Sequence, residues 1–379
     1  MEVYFDNSAT TKPYEEVIEE VASTMRHFYA NPSSAHTLGF KAEQKLRKCR
    51  ESISKTINAT PDEIIFTSGG TESNNFLIKG FCKPGNHVIT SNIEHSSVRN
   101  TFKFLESQGI RVTYISLNTD GKINLDELVN AIEKDTVLVS IMHVNNEVGI
   151  IQDIEKIGKL LKEKSSRIKY HVDAVQSYGK IHLDVVKCKI DLMSTSAHKL
   201  HGPRGVGFAY IKRGLVPITL MIGGGQERNF RSGTENLPAI AGFCNAVEIM
   251  NKNLNDNYKK VFEIKKYFIE KLKDFTYIKV NSNLEEHFIP HILNVSFIGV
   301  KGEVLLHALE EHNIYVSTGS ACSAKAAKTS EVLNAFGLTL VEQQGAIRFS
   351  FCESNTKAEV DYVIEKLKVV LMFLRRTKR

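Results

Sequence analysis

A lysine between two histidines is the first group in this sequence whose type and setting could do chemistry. Lys199 lies in the segment SAHKLHGPRG, residues 196–205, which continues with glycines and a proline. These residues favour a fixed turn over a mobile surface segment. Taken alone, a lysine beside a histidine is usually a surface residue. A desolvated lysine near other cations has a lowered pKa and can react as an amine, and the groups discussed next favour this second interpretation.

A glycine-rich connection earlier in the chain could bind an anion. The predicted strand EIIFT (63–67) continues into SGGTESNN, where Gly69 and Gly70 let the backbone approach an anion and Thr71 opens a helix with free N–H groups. The pattern is neither a GxxxxGK[ST] loop nor a GxGxxG turn, so a nucleotide is not its first interpretation. Taken alone, it is equally typical of a tight strand-to-helix connection.

Two further strands bring polar groups toward the same place. The strand KYHVDA ends near Asp173, whose carboxylate would be costly to bury without a cationic partner. The strand DLMSTS leads to Ser196, His198 and Lys199. Because ligands of open α/β sheets bind beyond the carboxyl ends of the strands, we expect these groups on one rim. A phosphate anchor, a carboxylate and an amine are the three groups that pyridoxal phosphate needs.

The hydrophobic pattern around these residues predicts an α/β fold with a mostly parallel sheet. Amphipathic segments such as DIEKIGKLLKEK separate most of the apolar runs, and from residue 239 to about 275 the pattern is almost continuously helical. A second domain is expected from there on. The seven candidate strands are EIIFT (63–67), HVITS (87–91), RVTYISL (111–117), TVLVSIMHV (136–144), KYHVDA (169–174), DLMSTS (191–196) and VGFAYI (206–211).

Composition excludes several classes of protein. The chain has 379 residues, 42% of them hydrophobic, and no apolar run of membrane-spanning length or secretory leader, so we expect a cytoplasmic protein without a membrane partner. Its six cysteines lie far apart without a CxxC pair, which predicts neither a disulfide framework nor a metal site. A net charge of +6 from 49 basic and 43 acidic residues is too mild to indicate direct nucleic-acid binding.

Ten segments, taken together, resemble the cysteine desulfurases of the class V aminotransferase family of pyridoxal phosphate enzymes. The resemblance covers nearly the whole chain. It implies a type I pyridoxal phosphate-dependent transferase fold, with a large cofactor-binding domain at residues 14–250 and a smaller α+β domain at residues 1–13 and 251–379. In order, the segments are YFDNSATTKP, FTSGGTESNN, SNIEHSSV, SIMHVNNEVGIIQDI, YHVDAVQSYGK, DLMSTSAHKLHGPRGVG, GGGQERNFRSGT, NVSF, STGSACS and IRFSF.

The resemblance also implies a role for individual residues of the cofactor and substrate sites. Lys199 would bond the cofactor, with Asp173 on the ring nitrogen and Gln176 near the ring hydroxyl. The ring would stack on a catalytic His95 with Asn145 beside it, and the amino-acid carboxylate would be bound by Asn7 and Arg348. The residues implied to hold the phosphate are Gly70, Thr71, Ser196, His198 and, from the neighbouring subunit of a homodimer, Thr234.

The segment TGSACSAKAAKTS carries the remaining catalytic group, Cys322. Its small and polar residues have no strand or helix period, so we expect a mobile loop. The resemblance implies that the Cys322 thiolate takes sulfur from L-cysteine as a persulfide, releases alanine, and passes the sulfur to an acceptor such as an iron–sulfur scaffold or a tRNA-thiolation enzyme. The C-terminal tail that helps many members dock the scaffold is not expected here, which leaves the acceptor open.

Three functions remain open at this point. The first is cysteine desulfuration for iron–sulfur clusters, tRNA thiolation or thiamine synthesis. The second is a related class V activity, either selenocysteine lyase or aminotransferase, and the Cys322 segment argues against the aminotransferase. The third is a scaffold that has kept the fold and lost the reaction, which the presence of Lys199, Asp173 and Arg348 disfavours.

Overall fold

The computed structural model describes residues 1–318 and 330–376. Its strands are β1 (Val3–Tyr4), β2 (Ile64–Thr67), β3 (His87–Ser91), β4 (Arg111–Ile115), β5 (Thr136–Met142), β6 (Lys169–Asp173), β7 (Leu192–Ser194), β8 (Gly207–Ile211), β9 (Ile278–Val280), β10 (Ile292–Phe297), β11 (Ile314–Tyr315) and β12 (Ala346–Ser350). Its α-helices are α1 (Glu15–His27), α2 (Thr37–Lys55), α3 (Gly70–Lys79), α4 (Ser96–Ser107), α5 (Leu125–Asn130), α6 (Ile154–Lys164), α7 (Leu237–Lys252), α8 (Leu254–Leu272), α9 (Gly302–Glu310), α10 (Glu331–Ala335), α11 (Leu340–Gln344) and α12 (Lys357–Arg376).

Seven strands form one central sheet in the order β2-β8-β7-β6-β5-β3-β4. The pairs from β7 to β4 are parallel, and β8 is antiparallel to both of its neighbours, so β8 alone runs against the other six. All seven strands predicted from the sequence are present, and the predicted mostly parallel sheet is confirmed.

Helices cover both faces of this sheet. Successive side chains of a strand point to opposite faces, so one strand contributes to two cores. Along β2, Ile64 and Phe66 pack into one core with α1, α2 and α7, whereas Ile65 packs into the other with α3 and α4. Both faces of the sheet are therefore largely apolar, and polar side chains inside the strands bond each other, as Ser140, His171 and Ser194 do.

A third core lies under the three-stranded sheet β12-β10-β9. It joins the first residues of the chain, Val3 and Phe5, to apolar side chains of α8 and α12. This grouping accords with a small domain built from both ends of the chain, while the exact boundaries at residues 13 and 250 remain a prediction. Within the described residues, no helix is long and apolar enough to cross a membrane.

The almost continuously helical stretch predicted from residue 239 to about 275 consists of two helices, α7 and α8. Asn253, between α7 and α8, has φ −109° and ψ 11°, outside the helical region. Its side-chain nitrogen donates to the Ile249 carbonyl at 3.1 Å, a backbone group that a continuing helix would use itself. Asparagine competes with the helix in this way, which explains the break.

Candidate active site

A cavity of about 310 Å³ opens at the carboxyl ends of the parallel strands. Strands β2, β3, β5, β6 and β7 each deliver at least one of its polar wall residues from the connection that follows them. The chain's first residues and β12 close the other side. This is the edge of the sheet at which the sequence analysis expected the site.

Glycines at the start of α3 allow two connections to approach closely. Gly69 has φ 146°, a conformation that favours glycine, and a Cβ atom on Gly70 would lie 2.7 Å from the Val175 side chain. A Cβ on Gly69 would lie 3.5 Å from the Ser196 hydroxyl. The first N–H groups of a helix lack partners within the helix, so Gly70, Thr71 and Ser196 form a concave site suited to an anion.

A hydrogen-bonded chain links Asp173 to His95 across the cavity wall. The Asn74 amide donates to the Asp173 carboxylate at 2.8 Å and to the Ser97 hydroxyl at 2.9 Å. The Ser97 hydroxyl contacts His95 Nδ1 at 2.9 Å, and Nδ1 also accepts from the Ser97 N–H at the start of α4. Burial lowers the pKa of His95, while the Asp173 charge acts in the opposite direction. Sequence reasoning missed Asn74 and Ser97.

The Lys199 amine is held by the chain's amino-terminal segment. Its Nζ donates to the carbonyls of Ser8 at 2.6 Å and Ala9 at 2.9 Å. Thr11 fixes the two segments to each other, because its hydroxyl donates to the His198 carbonyl and accepts from the N–H of His201. The motif YFDNSATTKP therefore serves as a rigid support for the lysine.

His198 and Gln176 line the same cavity. Burial, with the charges of Lys199, Arg204 and Lys180, lowers the pKa of His198 to about 4, so its imidazole is neutral near pH 7. The Gln176 amide donates to the Ser8 carbonyl at 3.0 Å, next to the Lys199 amine on the same oxygen.

Arg348 reaches the cavity from β12 and is 4% exposed. Its two terminal nitrogens donate to the carbonyl of Asn146 at 2.8 Å and to the carboxylate of Asp6 at 2.8 Å. Two of the five guanidinium N–H groups are used in this way, and others remain for a carboxylate ligand.

Two predicted site residues point away from the cavity. Asn145 is fully buried, and its amide donates to the Ile93 carbonyl while its oxygen accepts from the N–H groups of Glu147 and Val148. The Asn145 amide therefore uses both its nitrogen and its oxygen to close the VNNEVG turn. Asn146 lines the cavity instead. Asn7 likewise donates to the Ser350 carbonyl at 3.0 Å and joins the chain's start to β12.

The structure leaves two other predicted residues apart from this cavity. Thr234 is exposed and does not line the cavity of its own chain. Nearby, Arg231 pairs with Glu72 at 2.7 Å, which fixes the segment beside the start of α3. Cys322 lies outside the described residues. Its segment is attached at described residues on both sides, since Ser317 pairs with Arg348 in the sheet and the Ser330 hydroxyl donates to Glu147 at 2.7 Å.

Three side chains of kinds that can bind a metal ion lie close together near Lys199 in the chain and after β12. The sequence analysis predicted no metal site. Ligand atoms of His201, Cys352 and Glu353 lie within 4.8 Å of one another. Burial alone would lower the pKa of His201, but hydrogen bonds with Cys352 and Glu353 raise it to about 10. Burial alone would raise the pKa of the Glu353 carboxyl, but His201 and Tyr14 lower it to about 2. His201 Nε2 lies 3.6 Å from a Glu353 carboxylate oxygen, so each group favours the charged form of the other.

Comparisons with known proteins extend over nearly the whole chain. The sequence profile of the family described as class-V aminotransferase matches residues 3–363. A Vibrio vulnificus (strain YJ016) protein named cysteine desulfurase IscS is 43% identical, over 98% of this chain and 93% of its own. A solved structure named NifS-like protein is 40% identical with a TM-score of 0.93, covering 98% of this chain and 100% of that one. Another, SspA in complex with cysteine, is 35% identical with a TM-score of 0.82, covering 93% and 100%.

Proposed function

This chain belongs to the class V aminotransferase family and to the cysteine desulfurases within it, and we propose that it removes sulfur from L-cysteine with the aid of pyridoxal phosphate. The products are L-alanine and a persulfide on Cys322. The observation that carries the proposal is the cavity in which a buried carboxylate, a lysine and a glycine-rich helix start face one another. The SspA structure, which contains cysteine, supports the substrate.

The residues of the cavity fit pyridoxal phosphate. Asp173 is 4% exposed and accepts only from Asn74 and the Val175 N–H among the described groups, so its carboxylate has capacity for a protonated ring nitrogen. The absence of Cβ atoms on Gly69 and Gly70 gives a phosphate access to backbone N–H groups. When bound, the cofactor supplies an electron sink for charge that develops at the substrate Cα.

Several residues of this chain bind and orient the cofactor. Asp173 would hold the proton of the ring nitrogen by charge pairing, and the Asn74 amide fixes the direction of that carboxylate. His95 would cover the ring, while neutral His198 would donate to the phosphate with Thr71 and Ser196. Gln176 would offer an N–H group to the ring oxygen.

The substrate is oriented by Arg348 and processed by Lys199. Arg348 binds the α-carboxylate with N–H groups that Asp6 and Asn146 leave available, and those two residues hold the guanidinium plane in place. Lys199 takes up and returns the Cα proton at its Nζ. The Cys322 thiolate then forms a bond with the substrate sulfur as the carbon–sulfur bond breaks, and the sulfur remains on the protein as a persulfide.

The test is the stoichiometry of the products. With the purified protein, pyridoxal phosphate, L-cysteine and an excess of a reducing thiol, we expect L-alanine and sulfide in equal amounts, as two reducing thiols become one disulfide. Selenocysteine is assayed in parallel because the second candidate is selenocysteine lyase. Turnover of selenocysteine alone would replace the proposed function with that one.

The proposal includes a homodimer in which Thr234 of each chain reaches the phosphate of its neighbour. Exposed apolar side chains immediately precede the GGGQERNFRSGT segment, among them Val216 at 74% and Ile222 at 90% exposed. Apolar surface of this kind is typical of a protein interface. If the second chain packs on this apolar surface beside Thr234, the two chains meet near the start of α3, where Arg231 pairs with Glu72.

A composite site predicts opposite results for two arrangements of the same substitutions. We expect mixed dimers of one Lys199→Ala chain and one Thr234→Asp chain to retain about half of the parent activity, because one site combines the intact lysine with the intact threonine. Mixed dimers of a parent chain and a doubly substituted chain should be inactive. Isolation with two affinity tags permits the measurement, and the reverse pattern would place each site within one chain.

The physiological acceptor and location complete the proposal. We assign the persulfide sulfur to an acceptor protein, such as an iron–sulfur scaffold or a tRNA-thiolation enzyme, which the IscS name of the Vibrio vulnificus relative supports. The five described cysteines are all free, as is typical of the reducing cytoplasm. The division into residues 14–250 and residues 1–13 with 251–379 is supported by the separate cores.

A further inference from the structure

A buried amine lies directly behind the cavity wall. Lys180 is 6% exposed and follows Gln176 by one turn of the chain after β6. Its Nζ donates to the Gln176 side-chain oxygen at 3.3 Å, and no other hydrogen bond of this amine is found among the described residues. Lys180 itself does not line the cavity, so it can act there only through a neighbour.

The two neighbours of Gln176 determine which way its amide points. A protonated lysine amine carries donors and no acceptor, and a backbone carbonyl can only accept. Lys180 therefore requires the oxygen on its side, and the Ser8 carbonyl requires the nitrogen on the other. The second hydrogen of that nitrogen is left for the cavity, which Gln176 lines.

We propose that Lys180 is a positioning residue that fixes the Gln176 amide with its N–H group toward the cofactor. This inference rests on the proposed function, because it concerns the same cavity. Lys180 bonds Gln176 as Asn74 bonds Asp173, except that Asn74 also lines the cavity and Lys180 does not. Without Lys180, the Gln176 oxygen is buried without a donor and the amide is free to rotate away.

The buried position of Lys180 is compatible with this role. Burial, together with the charge of Lys199, lowers the pKa of Lys180 to about 7, so both forms of the amine are populated at neutral pH. Each form carries N–H groups that can donate to Gln176. The carboxylate of Glu353 acts in the opposite direction and favours the charged form, as does Cys352.

The first experiment replaces Lys180 by methionine, which keeps an unbranched stem and removes the donor. We expect cofactor binding to the Lys180→Met protein to be about three- to tenfold weaker, the loss typical of one hydrogen bond, with a shifted visible absorption band. Melting of the cofactor-free protein should be unchanged or slightly higher, because a buried charge is removed. Lys265→Met is the matched control, since Lys265 is also a buried amine but bonds the Ile289 carbonyl away from the cavity.

The second experiment is a double-mutant cycle with Gln176→Ala. If Lys180 acts through Gln176, Lys180→Met should change neither the dissociation constant of the cofactor nor its absorption band in the Gln176→Ala protein. The same threefold-or-greater loss in both backgrounds would overturn the proposal, as would parent-like binding by Lys180→Met. Failure of the parent protein itself to bind pyridoxal phosphate would instead refute the proposed function.

Discussion

Lys199→Ala is expected to reduce alanine formation from L-cysteine by about 10⁴-fold or more, the scale of loss found when a group that reacts covalently is removed. Only a primary amine can bond with the cofactor aldehyde and then accept the substrate Cα proton. Among the described residues, Lys199 is the only lysine that lines the cavity, and the nearby Lys180 does not.

A second substitution separates this chemical role from a structural one. The Lys199 amine also donates to the Ser8 and Ala9 carbonyls, so Lys199→Ala removes a support of the amino-terminal segment. Lys199→Gln keeps a side-chain N–H donor but lacks an amine. We expect both variants to be equally inactive in the alanine assay. Substantial activity of Lys199→Gln would show that the hydrogen bonds, and not the amine, are what the reaction needs.

The fold could be predicted because the strands of a sheet covered on both faces are almost wholly apolar. In β5, TVLVSIM, six of the seven side chains are fully buried, and this run stands out between polar segments. The position of the break between α7 and α8 at Asn253 could not be predicted, because it depends on one side-chain bond to Ile249 and the apolar period continues across it. Periodicity reports burial, whereas a helix end is decided by local hydrogen bonds.

The cavity was predictable for a different reason. Asp173 ends β6, and Ser196 and Lys199 follow β7, which is parallel to β6, so these positions lie together at one edge of the sheet. Which of two adjacent asparagines faces the cavity could not be obtained in this way. Asn145 turns inward because the backbone N–H groups after it need an acceptor, and this places Asn146 at the wall.

The residues that hold other side chains of the site in place were also beyond sequence reasoning. Asn74 and Lys180 lie inside the FTSGGTESNN and YHVDAVQSYGK segments, but neither motif shows that Asn74 contacts Asp173 or that Lys180 contacts Gln176. One signal was present, since Lys180 follows Gln176 by four residues, and such spacing places side chains on the same side of a helical turn. The spacing does not reveal that both side chains are buried. Their burial keeps the Lys180 amine and the Gln176 oxygen in contact.

Cys322→Ser is expected to reduce sulfide release from L-cysteine to the level measured without enzyme. Removal of sulfur from cysteine requires a thiolate that accepts it, and a serine hydroxyl cannot. All five described cysteines are buried, and none of them lines the cavity. Burial raises the pKa of Cys82 to about 12 and that of Cys188 to about 11, so both remain thiols at neutral pH.

The Cys322→Ser protein should fail only at the step in which residue 322 accepts the substrate sulfur. Arg348, Lys199 and Asp173 are unchanged, so the Cys322→Ser protein should bind pyridoxal phosphate like the parent and still change its absorption when L-cysteine is added. Cys82→Ala is the matched control, because Cys82 is buried beneath the other face of the sheet and should be dispensable for sulfide release. Loss of cofactor binding in Cys322→Ser would indicate a misfolded protein, for which Cys322→Ala then substitutes.

The location of the sulfur identifies the acceptor thiol directly. Given L-cysteine without a reducing thiol, the parent should gain the mass of one sulfur on the peptide that contains Cys322. An equal gain on the peptide of Cys49 or Cys352, or normal desulfuration by Cys322→Ser, would contradict the assigned nucleophile.

Selenocysteine distinguishes the remaining candidate, because selenium leaves carbon more readily than sulfur and needs no thiolate to accept it. A Cys322→Ser protein that turns over selenocysteine at the parent rate, when the parent itself does not desulfurate cysteine, would make the chain a selenocysteine lyase. Loss of cysteine desulfuration alone makes Cys322 the residue that selects sulfur chemistry within a shared cofactor site.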